Sequence, residues 1–182
     1  MDVETLRRQY AQGDRDFSNA ELSHADLTKA KLSGINLIRA DLSHAELSGA
    51  NLSGGFLVLA NLEQADLRGA IAIAVNFSGA NLREANLAYS KFTEAILTGT
   101  WLQRANLDYA NLQGAILAGA NLSSANLQNA DLRGANLYGA DLTNADLTDA
   151  MLAHANLRGA NLQDTILPEL ITVHNIGGRS SC

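Results

Sequence analysis

The side chains best suited by type to do chemistry are His24 and His44, with Asp26, Glu46 and Asp66 near them in the sequence. Two imidazoles and a carboxylate can hold a divalent cation. The histidines are 20 residues apart, and Asp26, Glu46 and Asp66 follow one another at the same spacing. A chain that coils once every 20 residues would set them in two adjacent columns with steps of about 4.8 Å. Neither column carries a recognisable second group to orient a metal-bound imidazole. A solvated corner of turn residues is the simpler reading, so no metal or cofactor is expected, and His24, His44, Asp26 and Glu46 stand only as the positions where an ion would sit.

Nucleophilic catalysis needs a Ser or Cys beside a His that a carboxylate orients, in a cleft that excludes water. The one cysteine is Cys182, the last residue, and nothing in the sequence assembles such a cleft. Three Asn-x-Ser triplets, at Asn51, Asn76 and Asn121, match a glycosylation pattern only because a short repeat generates them. No catalytic residue is assigned, and an enzyme is not expected.

The elements that must position these side chains follow from a period of five, held in one frame from Phe17 to Leu167. Leu or Phe fills 30 of the 31 positions numbered 17, 22, 27 and onward, the exception being Ala72. Two residues before each, Ala fills 24 of 30 positions, and Asp or Asn lies between in 20 of 31. The unit is A(D/N)Lxx. Five residues of α-helix turn through about 500°, which scatters the Leu around the axis, and an odd period in a flat strand alternates sides. A short extended segment with Ala and Leu inward, followed by a turn, satisfies the pattern. The xx positions carry Ser, Thr and Gly, which suit turns. Ile35, Gly55 and Val75, like His24/His44 and Tyr89/Tyr109, recur 20 apart and point to four repeats per coil.

This tandem A(D/N)Lxx pattern resembles the pentapeptide-repeat family. The opening, Met1 to Tyr10 followed by Gly13 and Arg15-Asp16-Phe17-Ser18, is similar to the N-terminal cap of some cyanobacterial members. The resemblance implies an all-β fold, a right-handed quadrilateral β-helix with four repeats per coil and a short N-terminal capping helix. On that geometry the 31 repeats make seven to eight coils, a rod roughly 35 Å long.

Three regions are expected. Residues 1–14 form the helical cap, with Asp2 capping a helix whose Val3, Leu6 and Tyr10 share a face and Gly13 ending it. Residues 15–167 form the solenoid. Residues 168–182 form a C-terminal cap segment and tail, in which Leu170, Ile171, Val173 and Ile176 cover the last coil or meet another subunit.

The frame also marks where side chains point outward. Ile38, Phe56, Val58, Leu59, Ile71 and Ile73 fall on outward positions, and an exposed apolar patch of that kind marks a protein contact. The competing expectation, slightly favoured because Ala72 interrupts the Leu column, is a local bulge that turns some of them inward. Tyr89, Tyr109 and Trp101 are outward aromatics that need no functional account.

A formal net charge of −6 argues against direct nucleic-acid binding. Some pentapeptide-repeat proteins are regarded as DNA mimics acting on type II topoisomerases, and Glu21, Asp41, Asp26, Glu46 and Asp66 make an acidic strip that fits this alternative. Against it, Phe17 to Leu167 holds 14 Asp and Glu against 9 Lys and Arg, and arginines interrupt the field. A non-catalytic rod that binds a protein partner, as a monomer or an end-to-end dimer, is the leading reading. The absence of an apolar leader or a long apolar run, with one terminal thiol, points to a cytoplasmic protein without membrane attachment.

Overall fold

The structure is a computed structural model, described over residues 1–169. The expectations for Leu170, Ile171, Val173, Ile176 and the tail lie outside those residues.

Parallel bridges join each Asp/Asn-slot residue to the one 20 positions later, from Asp16↔Asn36 to Asp146↔Ile166, without a change of register. Four five-residue repeats therefore make one coil. Within each repeat the chain turns after the Leu and closes a four-residue hydrogen bond, as from Ala45 N–H to the Leu42 carbonyl at 3.0 Å. The third residue of these turns has positive φ, +65° at Gly49 and +57° at His44. That conformation favours Gly, Asn and Asp and explains why they gather at this position.

The Asp/Asn slot has a local role that the repeat count does not reveal. Its Oδ1 accepts the N–H two residues on, from Ser18 to Asp16 at 3.1 Å and from Ser123 to Asn121 at 3.0 Å. Asparagines in successive coils also bond along the rod: Asn61 donates to Asp41 and Asn81 to Asn61, both at 3.0 Å. A unit with Asp or Asn in this slot can thus tie both its own turn and its neighbour.

The core is a stack of buried Leu, Phe and Ala. In one Ala-slot column Ile35, Gly55 and Val75 follow one another, a glycine between two branched side chains. Ser90 and Thr100 stand in buried Ala slots, and each hydroxyl donates to the carbonyl three residues back at 2.6 Å, so neither hydroxyl is left unpaired.

The bulge expected around Ala72 does not form. Asn51↔Ile71↔Lys91 pair in register, and the N–H of fully buried Ala72 donates to the Lys91 carbonyl at 2.8 Å. The residue one coil on in the same column is Phe92, whose ring lies 5.5 Å from that of Phe77. Both rings are fully buried, and larger side chains at these two neighbouring core positions suit the small Ala72 in a close-packed interior.

Helix α1, Val3–Ala11, precedes the first coil, with Asp2 at its N-cap accepting from the Thr5 N–H at 2.8 Å. Leu6 is fully buried, and Val3 and Tyr10 pack against the core. The Met1 amine donates to the Glu21 carbonyl at 2.9 Å and the Tyr10 hydroxyl to the Ser33 carbonyl at 2.7 Å. No helix among the described residues is long and apolar enough to cross a membrane.

Candidate interaction surface

The coil presents four columns of outward Asp/Asn-slot residues, one on each face. The first face carries Asp16, Asn36, Phe56, Asn76, Ile96, Ile116, Asn136 and Asn156 in order. Its following corner carries Ile38, Val58, Ser78, Thr98, Ala118 and Tyr138, each beside a left-handed turn residue: Arg39, Leu59, Gly79, Gly99, Gly119 and Gly139. From Phe56 to Asn156 on this face, and from Val58 to Gly139 on its corner, no residue is charged.

Phe56 is 50% exposed, Leu59 53%, Ile116 39% and Tyr138 60%. Of the six residues that the sequence marks as a patch, Ile38, Phe56, Val58 and Leu59 lie on this face and its corner. Ile73 lies on the preceding corner, also exposed, and Ile71 stands one face away between Asn51 and Lys91. Sequence reasoning passed over Ile96, Ile116 and Tyr138. Placing every Asp/Asn-slot residue on the 20-residue period would have found the two isoleucines, because they continue the column of Phe56.

The apolar residues of this column carry a local cost. Phe56, Ile96 and Ile116 have no side-chain oxygen, so the N–H groups of Val58, Thr98 and Ala118 lose the acceptor that their counterparts have. A hydrogen bond of this kind contributes about 0.5–1.5 kcal/mol. None of the three side chains lies in the buried core that would offset the loss.

The histidine pair is placed as the spacing implied: the His24 and His44 rings stack with centroids 4.8 Å apart and planes 3° apart. Parallel rings aim their in-plane lone pairs alongside one another, whereas one cation needs them to converge at about 2.0–2.1 Å. Among the described residues no group of three or more His, Cys, Asp and Glu side chains comes together as a metal site.

The acidic strip is shorter than the sequence suggests. Arg68 Nη2 lies 2.6 Å from Asp66, and its hydrogen bonds hold that carboxyl below its ordinary pKa. Asp41 receives the Asn61 amide at 3.0 Å, and beyond Asp66 the column continues as Asn86, Asn106 and Asn126. Amides thus interrupt the carboxylates through the middle coils, and Asp141 and Asp146 bring carboxylates back to the same two columns near the far end. The outward aromatics pair locally: Tyr89 and Tyr109 stack with centroids 5.2 Å apart, and the Arg83 guanidinium lies 3.9 Å over the Trp101 ring.

The family profile described as pentapeptide repeats matches residues 16–54, 60–99, 102–139 and 131–167, in eight copies. Among solved structures the chain is similar to HetL, a pentapeptide-repeat protein involved in heterocyst differentiation regulation in the cyanobacterium Nostoc sp. strain PCC 7120. The two are 32% identical over 93% of this chain and 94% of that one, with a TM-score of 0.63. A trypsin-treated form of QnrB1, a plasmid-mediated fluoroquinolone resistance protein, shares the fold at 23% identity, with 86% of each chain covered and a TM-score of 0.67. No curated protein sequence matches the chain.

Proposed function

The chain belongs to the pentapeptide-repeat family, and from that premise we propose that it is a non-catalytic rod that regulates a protein partner through the uncharged stretch of its first face from Phe56 onward. The carrying observation is that Phe56, Ile96 and Ile116 occupy one outward column where Asp or Asn would have bonded the turn. They weaken their own turns without entering the core, and a contact made elsewhere accounts for residues of that kind. Ile38, Val58, Leu59 and Tyr138 widen the same surface, and Ile71 and Ile73 extend it around the neighbouring corner.

The fold belongs to this reading as well. A right-handed, four-sided rod with α1 capping its first coil is stiff and presents flat faces. HetL, similar over almost its whole length, is involved in regulating differentiation, which supports a regulatory role for a chain of this architecture. A cytoplasmic location fits a chain with a single cysteine, and a monomer or end-to-end dimer belongs to the same proposal.

Affinity capture from a lysate of the source organism, at low and moderate salt, tests the reading with a Phe56→Ser/Val58→Ser variant beside the parent. A partner held by the parent at both salts and lost by the variant is the expected result. A topoisomerase held equally by the variant and released by salt would replace this reading with the DNA-mimic alternative.

A further inference from the structure

A second site lies where α1 meets the first coil. Arg7 and Tyr10 of the helix face the turn from Thr28 to Leu32 across an open groove of about 270 Å³, which Lys29 and Lys31 also line. None of these three cations lies within 4.0 Å of a carboxylate among the described residues, where the ion pairs are those of Arg68, Arg104 and Arg133. A fourth cation stands close by, because the Arg15 guanidinium lies 3.9 Å over the Tyr10 ring. Asp26, three residues before Lys29, accepts the Thr28 N–H at 3.0 Å, and Arg7 reaches its backbone carbonyl at 3.5 Å; the Thr28 bonds, aided by the Arg7 charge, hold that carboxyl below its ordinary pKa. A concentration of positive charge on a chain of formal charge −6 is a local departure from its overall field.

The backbone adds a donor. In the fourth-face column the N–H groups of Asn51, Ile71, Lys91, Asn111, Asp131 and Met151 each donate to a carbonyl of the preceding coil at 2.8–2.9 Å. Lys31 heads that column and has no preceding coil, and its N–H makes no backbone hydrogen bond. Three cations without an ion pair within 4.0 Å, beside a backbone N–H that has no backbone partner, in a concave site, match an oxyanion that accepts several charge-assisted hydrogen bonds.

We propose that the groove between α1 and the first coil binds a phosphate-class oxyanion, either the free ion or a phosphate monoester, held by Arg7, Lys29, Lys31 and the Lys31 N–H. The site is independent of the first-face reading, since it lies on another corner and takes a different kind of ligand.

Titration calorimetry of the full chain with inorganic phosphate at low ionic strength tests it, with methyl phosphate as a second probe. Saturable binding is expected, weakened about tenfold or more in a Lys29→Gln/Lys31→Gln variant, which loses two charge-assisted contacts. Lys91→Gln, on the same face three coils away, should bind as the parent does, and the tighter of the two probes tells free ion from ester. Both groove lysines are exposed, so the variant should keep its fold, and its circular dichroism spectrum verifies this. Absence of saturable binding by both probes, or equal binding by the parent and the double variant, would overturn the proposal.

Discussion

Gly55 rests on Ile35 so closely that a Cβ on the glycine would stand 3.0 Å from the Ile35 carbonyl oxygen and 2.8 Å from that of Leu52. Both obstacles are backbone atoms, which cannot move aside cheaply. The position is an Ala slot, and Ala is the residue the repeat prefers there. Gly55→Ala should therefore destabilise the rod by about 1–3 kcal/mol although it restores the consensus. Urea denaturation measures this, and a stabilised variant would show that the column between Ile35 and Val75 has room to spare.

Ala72 and Phe92 make a second, reciprocal case. Ala72→Leu overfills a space that Phe77 and Phe92 already occupy and should cost about 1–3 kcal/mol. Combining it with Phe92→Leu should recover part of that loss, a coupling of about 0.5–3 kcal/mol between residues in adjacent coils. Strict additivity in the double-mutant cycle would mean that the two positions do not share one volume.

Asp66 and Asp131 each hold the arginine two residues on, at 2.6 Å, and these hydrogen bonds set both carboxyls below their ordinary pKa. At Asp146 bonds from Thr148 lead the same lowering; at Asp41 those from Ser43 and Asn61 outweigh a burial that acts upward. As pH falls, the unfolded chain takes up protons before these folded carboxylates do. Their stabilisation is complete above about pH 4 and is lost as pH falls through the lowered values. Arg133→Gln should shrink the difference in stability between about pH 7 and pH 3. An unchanged difference would show that the Asp131 pair contributes nothing to the acid transition.

Much of the fold was legible because its code is short: one Leu column, one Ala slot and one frame fix which side chains face inward. The recurrence of Ile35, Gly55 and Val75 carried the coil size. The Asp/Asn slot was visible as a preference, but its reason, an Oδ1 that reaches the N–H two residues on, is a matter of turn geometry. The continuity through Ala72 was hidden because its neighbours in the core, the tilted rings of Phe92 and Phe77, lie 20 and 5 residues further along the chain. The candidate surface was half visible for the same reason. Phe56, Val58 and Leu59 are neighbours in sequence, whereas Ile96 and Ile116 join them only after the chain has coiled.

Face substitutions separate stability from binding. Phe56→Asn gives Val58 N–H its acceptor back and should leave the stability unchanged or raise it by up to about 1 kcal/mol. A marked loss of stability, read as a lower urea midpoint, would mean that Phe56 serves the fold.

The central claim is tested most directly by titrating the captured partner against the parent and a Phe56→Asn/Ile96→Asn/Ile116→Asn variant, each first shown to be folded. The account predicts binding to the parent that is weakened at least about a hundredfold by the triple substitution while the variant is as stable as the parent. Equal affinities for the two proteins would contradict it, and would place the contact on another face of the rod.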